Sequence, residues 1–477
     1  MLDEKITKEG LAYGDVLLIP QRSSILSRKL VDVSSNLTKD IRLKMPILSA
    51  NMDTVTEHKT AIAMARMGGL GVIHRFMSID DQVEQVKKVK RFESYRVDAP
   101  YTLEPGKTLG EARESMRKFG VTGLLIVDHL GRLEGILTRR DVAFENDNSL
   151  LVSNLMTPKD RLIVAYQDID LDEAKKVLSR HRIEKLPLVD NDGKLVGLIT
   201  SKDITKTMEY PNATKDARGR LRVAAAIGVK DDTLERALAL KEAGVDVLVI
   251  DIAHGHSEMV LNTIDMLKAH NIGLPIIAGN IATPEAVRDL VTAGCDAVKV
   301  GVGPGSTCIT RLVAGTGVPQ FTAVLECARE AQKYNIPIIA DGGIVYSGDI
   351  AKALGGGASV VMLGSLLAGT EEAPGITMMK NGRKYKVMRG MASFGANINR
   401  QANKDVDNAE YVAEGVEAMV PYKGSVIEIL NQLVGGLKSG MSYSNAGDIA
   451  EFWQNARFCK ITAAGWQESK PHDVEVI

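Results

Sequence analysis

One cysteine in this chain stands where a nucleophile would. The stretch GVGPGSTCITR, Gly301 to Arg311, follows a short apolar run, Ala297 to Val300, that predicts a buried strand. Cys308 therefore sits where a strand opens into a loop, the place where parallel barrels carry their chemistry. Gly301, Gly303 and Gly305 would let backbone N–H and C=O groups turn inward around a bound group. A thiolate held there is nucleophilic near neutral pH. The other three cysteines, Cys295, Cys327 and Cys459, have no CxxC or His neighbour and read as small core hydrophobes.

Such a loop needs a rigid scaffold. Apolar runs suited to buried parallel strands recur at Pro46 to Ala50, Gly71 to His74, Val223 to Ile227 and Val245 to Ile250, and again at Pro275 to Ala278, Ala297 to Val300, Pro337 to Ala340 and Ser359 to Leu363. Helical patterns such as DTLERALALKEAG and TPEAVRDLVTAG lie between most of them, opening on Asp or Thr-Pro and closing on Gly. Eight strands alternating with helices predict an α/β fold, a (β/α)8 TIM barrel.

The spacing is broken once, between the second and third runs, which predicts an inserted domain. Inside that interval GRLEGILTRRD, ending at Asp141, returns as GKLVGLITSKD, ending at Asp203, an offset of 62 residues. Each copy follows a helical pattern and an apolar strand, so the insertion is read as two copies of one unit packed together. The expected organisation is barrel at 1–91, insertion at 92–208 with halves near 95–148 and 154–208, and barrel again at 209–477.

The totals agree with a globular enzyme. The chain has 477 residues, with 59 basic against 60 acidic side chains and 45% apolar residues. That balance gives no bulk attraction to nucleic acid or to a membrane surface. Four cysteines without paired spacing argue for a reducing compartment, and no apolar run approaches a membrane span. With no signal-like start in MLDEKITKEG, the expected location is the cytoplasm.

The repeat resembles the paired CBS (Bateman) module. Its G-h-h-T-x-x-D signature appears as Gly135, Thr138 and Asp141, then as Gly197, Thr200 and Asp203. The resemblance implies that Thr138, Asp141, Thr200 and Asp203 contact the ribose of an adenine or guanine nucleotide. The alternative is that the threonines end strands and the aspartates cap the helices after them.

Taken whole, the chain resembles the IMP dehydrogenase and GMP reductase superfamily. The likeness rests on ANMDTVTE (Ala50 to Glu57), DIAHGHS (Asp251 to Ser257), AGN (Ala278 to Asn280), GPGSTCIT, ADGGI (Ala340 to Ile344), MLGSLLAGTEEAPG (Met362 to Gly375), RGMAS (Arg389 to Ser393), EG (Glu414, Gly415) and ESKPHD (Glu468 to Asp473). It implies a covalent step in which the Cys308 thiolate adds to C2 of a purine nucleotide, GMP or IMP, assisted by Thr310 and Glu414. Ser306, Gly343, Gly364 and Ser365 match phosphate-holding positions. Asp341 matches the carboxylate on the ribose, and Met52, Gly390 and Met391 match positions beside the base. Asp251, Asn280, Gly301 and Gly303 match the dinucleotide side. A potassium site is matched by carbonyls of Gly303, Gly305 and Cys308 with groups near Glu468 of a neighbouring subunit, where the Lys470 ammonium could stand instead. The resemblance also implies a homotetramer that pairs through CBS modules into an octamer.

The two reactions of the superfamily differ after the thiolate adds. The dehydrogenase must hydrolyse its adduct and carries an adjacent Arg-Tyr pair on a flap to activate water; the reductase expels ammonia and needs no such base. Here Gly395 to Gly415 reads GANINRQANKDVDNAEYVAEG, with ten residues between Arg400 and Tyr411 and no adjacent pair. Asn51 in ANMDTV is a second reductase-like mark. The expectation is a GMP reductase using NADPH. One alternative is an IMP dehydrogenase using NAD, its base supplied by Lys404 or Arg400. The other is a nucleotide sensor without turnover, which would have no use for Cys308, Thr310 and Glu414 together.

Overall fold

The computed structural model describes the chain except residues 1–4, 7, 93–95, 99, 397–411, 472 and 475–477, and except the side chains at 203 and 206–208. Arg400, Lys404, Tyr411 and the side chain of Asp203 therefore lie outside the described residues. The chain divides into two compact units, one of Met1–Phe92, Asn212–Asp216 and Leu221–Ile477, the other of Glu93–Pro211 with Ala217–Arg220.

In the first unit eight parallel strands close into a barrel. They are β1 (Ile47–Ser49), β2 (Leu70–Ile73), β3 (Ala224–Ile227), β4 (Val247–Asp251), β5 (Ile276–Ile281), β6 (Ala297–Val300), β7 (Ile338–Asp341) and β8 (Val360–Leu363), with β8 pairing to β1 and β2 to β3. All eight predicted runs are present. Three strands run past the predicted end, to Asp251, Ile281 and Asp341, because pairing continues after the apolar sequence stops.

Period-two alternation decides what faces the barrel axis. One interior cluster takes residues from every strand, among them Leu48, Val72, Ala226, Val249, Ile277, Ala297, Ile339 and Met362, and is completed by Leu37, Ile41 and Leu43 of the hairpin that precedes β1. Continuing the alternation by two puts Asp251, Gly279, Lys299 and Asp341 in the last inward layer, at the carboxyl ends of the strands. The barrel is thus apolar along its axis and charged at one mouth.

Outside the barrel, β2 meets the helix His58–Arg66 at unusually short range. A Cβ at Gly71 would lie 2.4 Å from Ala61 Cα and 2.6 Å from its Cβ. A three-stranded antiparallel sheet comes after the barrel: β9 (Met378–Lys380), β10 (Arg383–Arg389) and β11 (Glu417–Pro421).

The second unit repeats itself at the predicted offset. Helices Leu109–Phe119 and Leu171–His181, strands Gly123–Val127 and Lys185–Val189, and strands Leu133–Thr138 and Leu195–Thr200 correspond one to one. Even the register irregularity recurs, between Ile126 and Val127 and between Leu188 and Val189. The copies meet through Leu125, Leu133, Ile136 and Val189, and through reciprocal backbone bonds, Leu133 N–H to Gly193 O at 3.1 Å and Leu195 N–H to Gly131 O at 3.0 Å.

The close approach at Gly71 gives a direct test of the packing. Gly71→Ala should lower barrel stability by about 1–3 kcal/mol, since the added methyl meets backbone that cannot step aside. Thermal melting followed by circular dichroism would show this as a lower transition, and an unchanged midpoint would contradict it.

Candidate active site

The Cys308 loop is built from main-chain pairing rather than from a helix or sheet of its own. Cys308 forms an isolated antiparallel bridge with Gly415. Ile309 N–H donates to Glu414 O at 2.8 Å, and Val416 N–H to Thr307 O at 3.0 Å. On the other side of the same segment, Gly390 N–H donates to Val416 O at 2.9 Å and Glu414 N–H to Ala392 O at 3.0 Å. Residues 414–416 are therefore clamped between the cysteine loop and the turn at 390–393. Glu414 and Cys308, more than a hundred positions apart, are fixed against each other by backbone.

Side chains complete the arrangement. Cys308 Sγ lies 3.2 Å from Thr310 Oγ1, and the thiol is partly exposed. Cys295 and Cys327 are buried, and burial pushes both thiols up to about 12, which leaves them inert at neutral pH. Cys459 departs from the expectation of a core residue: it is exposed, on a short strand, Phe458–Lys460, that pairs only with Val16–Leu18.

A cavity of about 380 Å³ opens at the carboxyl ends of the strands. Cys308, Thr310 and Glu414 line it, as do Met52, Gly390 and Met391. Asp341, Asp251, Asn280, Gly301, Gly303 and Gly305 form its strand-end wall. Ser306, Gly343, Gly364 and Ser365 are not in the wall; each sits one to three residues along the chain from a lining residue, so the phosphate-matching group borders the cavity rather than forming it. Glu468 ends the helix Ala463–Glu468 and has no part in the cavity.

At the cavity floor the structure adds a residue that sequence reasoning missed. Lys299 is 2% exposed. Its ammonium donates to Asp341 Oδ2 at 2.8 Å, lies 3.8 Å from Asp251 Oδ1 and contacts Asn280 Oδ1. Asn280 Nδ2 in turn donates to Asp341 Oδ2 at 2.9 Å and to Gly301 O at 2.8 Å. Burial works against the lysine's charge, yet Asp341 and Asp251 more than offset it and hold its pKa above the ordinary value. Room for the stem comes from Gly279, where a Cβ would lie 2.5 Å from Lys299 O and 2.7 Å from Lys299 Cβ. Lys299 sits inside a run read as an apolar strand. The available signal was its position: a lysine in a strand covered on both faces needs buried counter-charges.

One further link holds the mouth. The Arg389 guanidinium bonds Asp53 Oδ2 through Nε at 2.8 Å, tying the loop after β1 to the end of β10 beside Gly390. Arg75 and Lys230 line the same cavity as Asp251 and Asn280 and add two cationic residues to its wall. These groups, with the Asp251 carboxylate and the Asn280 amide, supply acceptors for ribose hydroxyls and charge for phosphates, so the residues present fit a nicotinamide dinucleotide. In the second unit, Thr138 N–H and Oγ1 both donate to Asp141 Oδ2 at 2.7 Å. The first T-x-x-D copy is therefore a closed local turn.

Lys299→Met would leave two carboxylates beside each other without their cation. It should cost about 3–5 kcal/mol. Because the lysine pKa is raised on folding, the contribution is present at neutral pH and is lost as pH rises through the folded value, above the ordinary lysine range. Wild-type and variant melting curves recorded from pH 7 upward check this; equal midpoints at pH 7 would contradict it.

A family model described as the IMP dehydrogenase / GMP reductase domain matches residues 10–472. An inosine-5'-monophosphate dehydrogenase of Aquifex aeolicus is 54% identical over 99% of this chain and 97% of its own. A GMP reductase of Leishmania major is 51% identical over 98% of this chain and 97% of its own. Among solved structures, a GMP reductase variant of Trypanosoma brucei in complex with guanosine 5'-monophosphate has a TM-score of 0.90 at 46% identity, covering 100% of both chains. The chain belongs to the IMP dehydrogenase / GMP reductase family, purine nucleotide oxidoreductases that use a nicotinamide dinucleotide.

Proposed function

We propose that this protein is a GMP reductase, converting GMP and NADPH to IMP, ammonia and NADP. The observation that carries the reading is the absence of any adjacent Arg-Tyr pair in Gly395 to Gly415, which removes the base a hydrolytic second step requires. The Leishmania major relative supports it, because a GMP reductase aligned over 98% of this chain means that an insertion of this length does not mark a dehydrogenase. The Aquifex aeolicus relative keeps IMP dehydrogenation as the second reading, with Arg400 or Lys404 as the water-activating group.

In the proposed mechanism the Cys308 thiolate attacks C2 of the guanine ring while Asp341 anchors the ribose. The carbon becomes tetrahedral, and Thr310 with Glu414 delivers a proton to the exocyclic amine, which leaves as ammonia. A thioimidate on Cys308 remains. The dinucleotide, held by Asp251, Asn280, Gly301 and Gly303, supplies hydride chemistry at C2 when bound. The thiolate then leaves and IMP is released. Met52, Gly390 and Met391 keep the base against the cysteine loop. Ser306, Gly343, Gly364 and Ser365 take the phosphate.

The repeated unit is proposed to be a tandem CBS module that binds a regulatory adenine or guanine nucleotide through Thr138, Asp141, Thr200 and Asp203. The 62-residue correspondence of its elements supports this, and a Trypanosoma brucei GMP reductase of 42% identity has been solved in complex with guanosine 5'-triphosphate. Assembly as a homotetramer or octamer, a potassium ion at Gly303, Gly305, Cys308 and Glu468, and a cytoplasmic location complete the proposal. No described helix is long and apolar enough to cross a membrane.

Absorbance at the nicotinamide band tests the reaction. GMP with NADPH should lose absorbance, and IMP with NAD and potassium should not gain it; the reverse pattern would show that another residue activates water. Cys308→Ala should lower turnover by about a thousandfold or more while GMP still binds. Residual turnover near wild type would end the covalent mechanism.

A further inference from the structure

Lys423 lies just after β11 and is partly buried. Its ammonium donates to the carbonyl oxygens of Ser365 at 2.6 Å and Leu366 at 3.2 Å. Lys386, in β10 and 4% exposed, does the same further along the chain, donating to Ala373 O at 2.6 Å and Glu371 O at 3.2 Å. Two lysines of the outlying sheet region thus hold residues 365–373 by main-chain carbonyls alone.

That pairing is unusual for buried ammonium groups, which ordinarily sit against carboxylates. Elsewhere in this unit they do: Lys90 lies 2.6 Å from Asp246, Lys299 lies 2.8 Å from Asp341 and Lys352 lies 3.4 Å from Asp349. Among the described residues no carboxylate oxygen comes within 4 Å of Lys423 or Lys386. Glu372, on the same loop, is committed to Ser425 Oγ and Val426 N–H at the start of the helix Val426–Tyr443. Burial lowers the pKa of Lys423 and no neighbouring carboxylate raises it again.

The geometry also sets the direction of the turn. Within one peptide plane the C=O and the following N–H point opposite ways. A Ser365 carbonyl aimed at Lys423 therefore turns the Leu366 N–H away from the lysine. Among the described residues neither Ser365 N–H nor Leu366 N–H donates to a backbone carbonyl. The turn thus keeps two N–H groups without a backbone acceptor, that of Leu366 facing away from Lys423, and a cation without a carboxylate behind it.

We infer that Lys423 is the fixed counter-charge of the substrate's 5′-phosphate, a positioning residue that acts through the Ser365–Leu366 carbonyls it holds. The inference rests on the proposed reading that Gly364 and Ser365 take the phosphate. It does not depend on which reaction the enzyme performs, because GMP and IMP carry the same phosphate.

Lys423→Gln keeps donors for the two carbonyls and removes the charge, so it separates field from folding. It should raise the KM for GMP about tenfold, with the loss falling on KM rather than kcat. Lys423→Arg should recover most of it. Guanosine and inorganic phosphate, used as competitive inhibitors, report the two halves of the nucleotide. Inhibition by phosphate should weaken in Lys423→Gln, while inhibition by guanosine stays within about twofold of wild type. If only IMP turns over, the same series runs with IMP and inosine, so a failed reductase reading leaves this test intact. An unchanged KM, an equal loss for guanosine and phosphate, or a fall in kcat at constant KM would each overturn the inference.

Discussion

A lysine buried at the mouth of a parallel barrel forces its surroundings to be polar, and in this chain Lys299 does that for the whole site. Alternation along β6 leaves its side chain pointing inward, above an axis filled by aliphatic side chains. An ammonium group there survives only if carboxylates meet it. Asp251 from β4 and Asp341 from β7 do so, and Asn280 from β5 bridges lysine and carboxylate. Four strand ends are thereby tied to one point. The same atoms face the cavity, so the interactions that satisfy the lysine also orient the acceptors proposed to meet the nucleotide and the dinucleotide.

The thiol proposed as the nucleophile is held differently. Among the described residues, the loop of Cys308 finds its regular pairing with residues 414–416, which are themselves paired to the turn at 390–393. The proposed chemistry is thus split between a rigid floor, set by strands, and a wall of three loop segments bonded in series through residues 414–416. Rigidity in the floor suits groups proposed to bind before and after the covalent step. A wall of loops suits the proposed role of the thiol, which is to approach, bond to and leave one carbon.

Much of this was legible from residues. Parallel strands covered on both faces read as continuous apolar runs, which is why all eight were visible. The repeat was visible because its two halves keep the same strand, turn and helix lengths. What escaped were the polar ends of strands: Asp251, Asn280 and Asp341 were identified from motifs as site residues, but the strands were ended before them, and Lys299 was absorbed into an apolar run. Lys423 escaped for another reason. A lysine near a Gly-Ser pair in a loop carries no sequence signal of burial, and its pairing with carbonyls more than fifty residues away is a tertiary fact. Cys459 read as core on composition alone, and only its place on a peripheral strand pair exposes it.

In the proposed reaction the Cys308 adduct loses ammonia rather than taking up water. Product analysis by mass spectrometry tests it in one experiment, using GMP labelled with 15N on its exocyclic amine, with NADPH, in 18O-labelled water. A reductase should give 15N-labelled ammonia and IMP free of 18O. No ammonia from GMP, with IMP and NAD giving 18O-bearing xanthosine monophosphate in the same water, would contradict it.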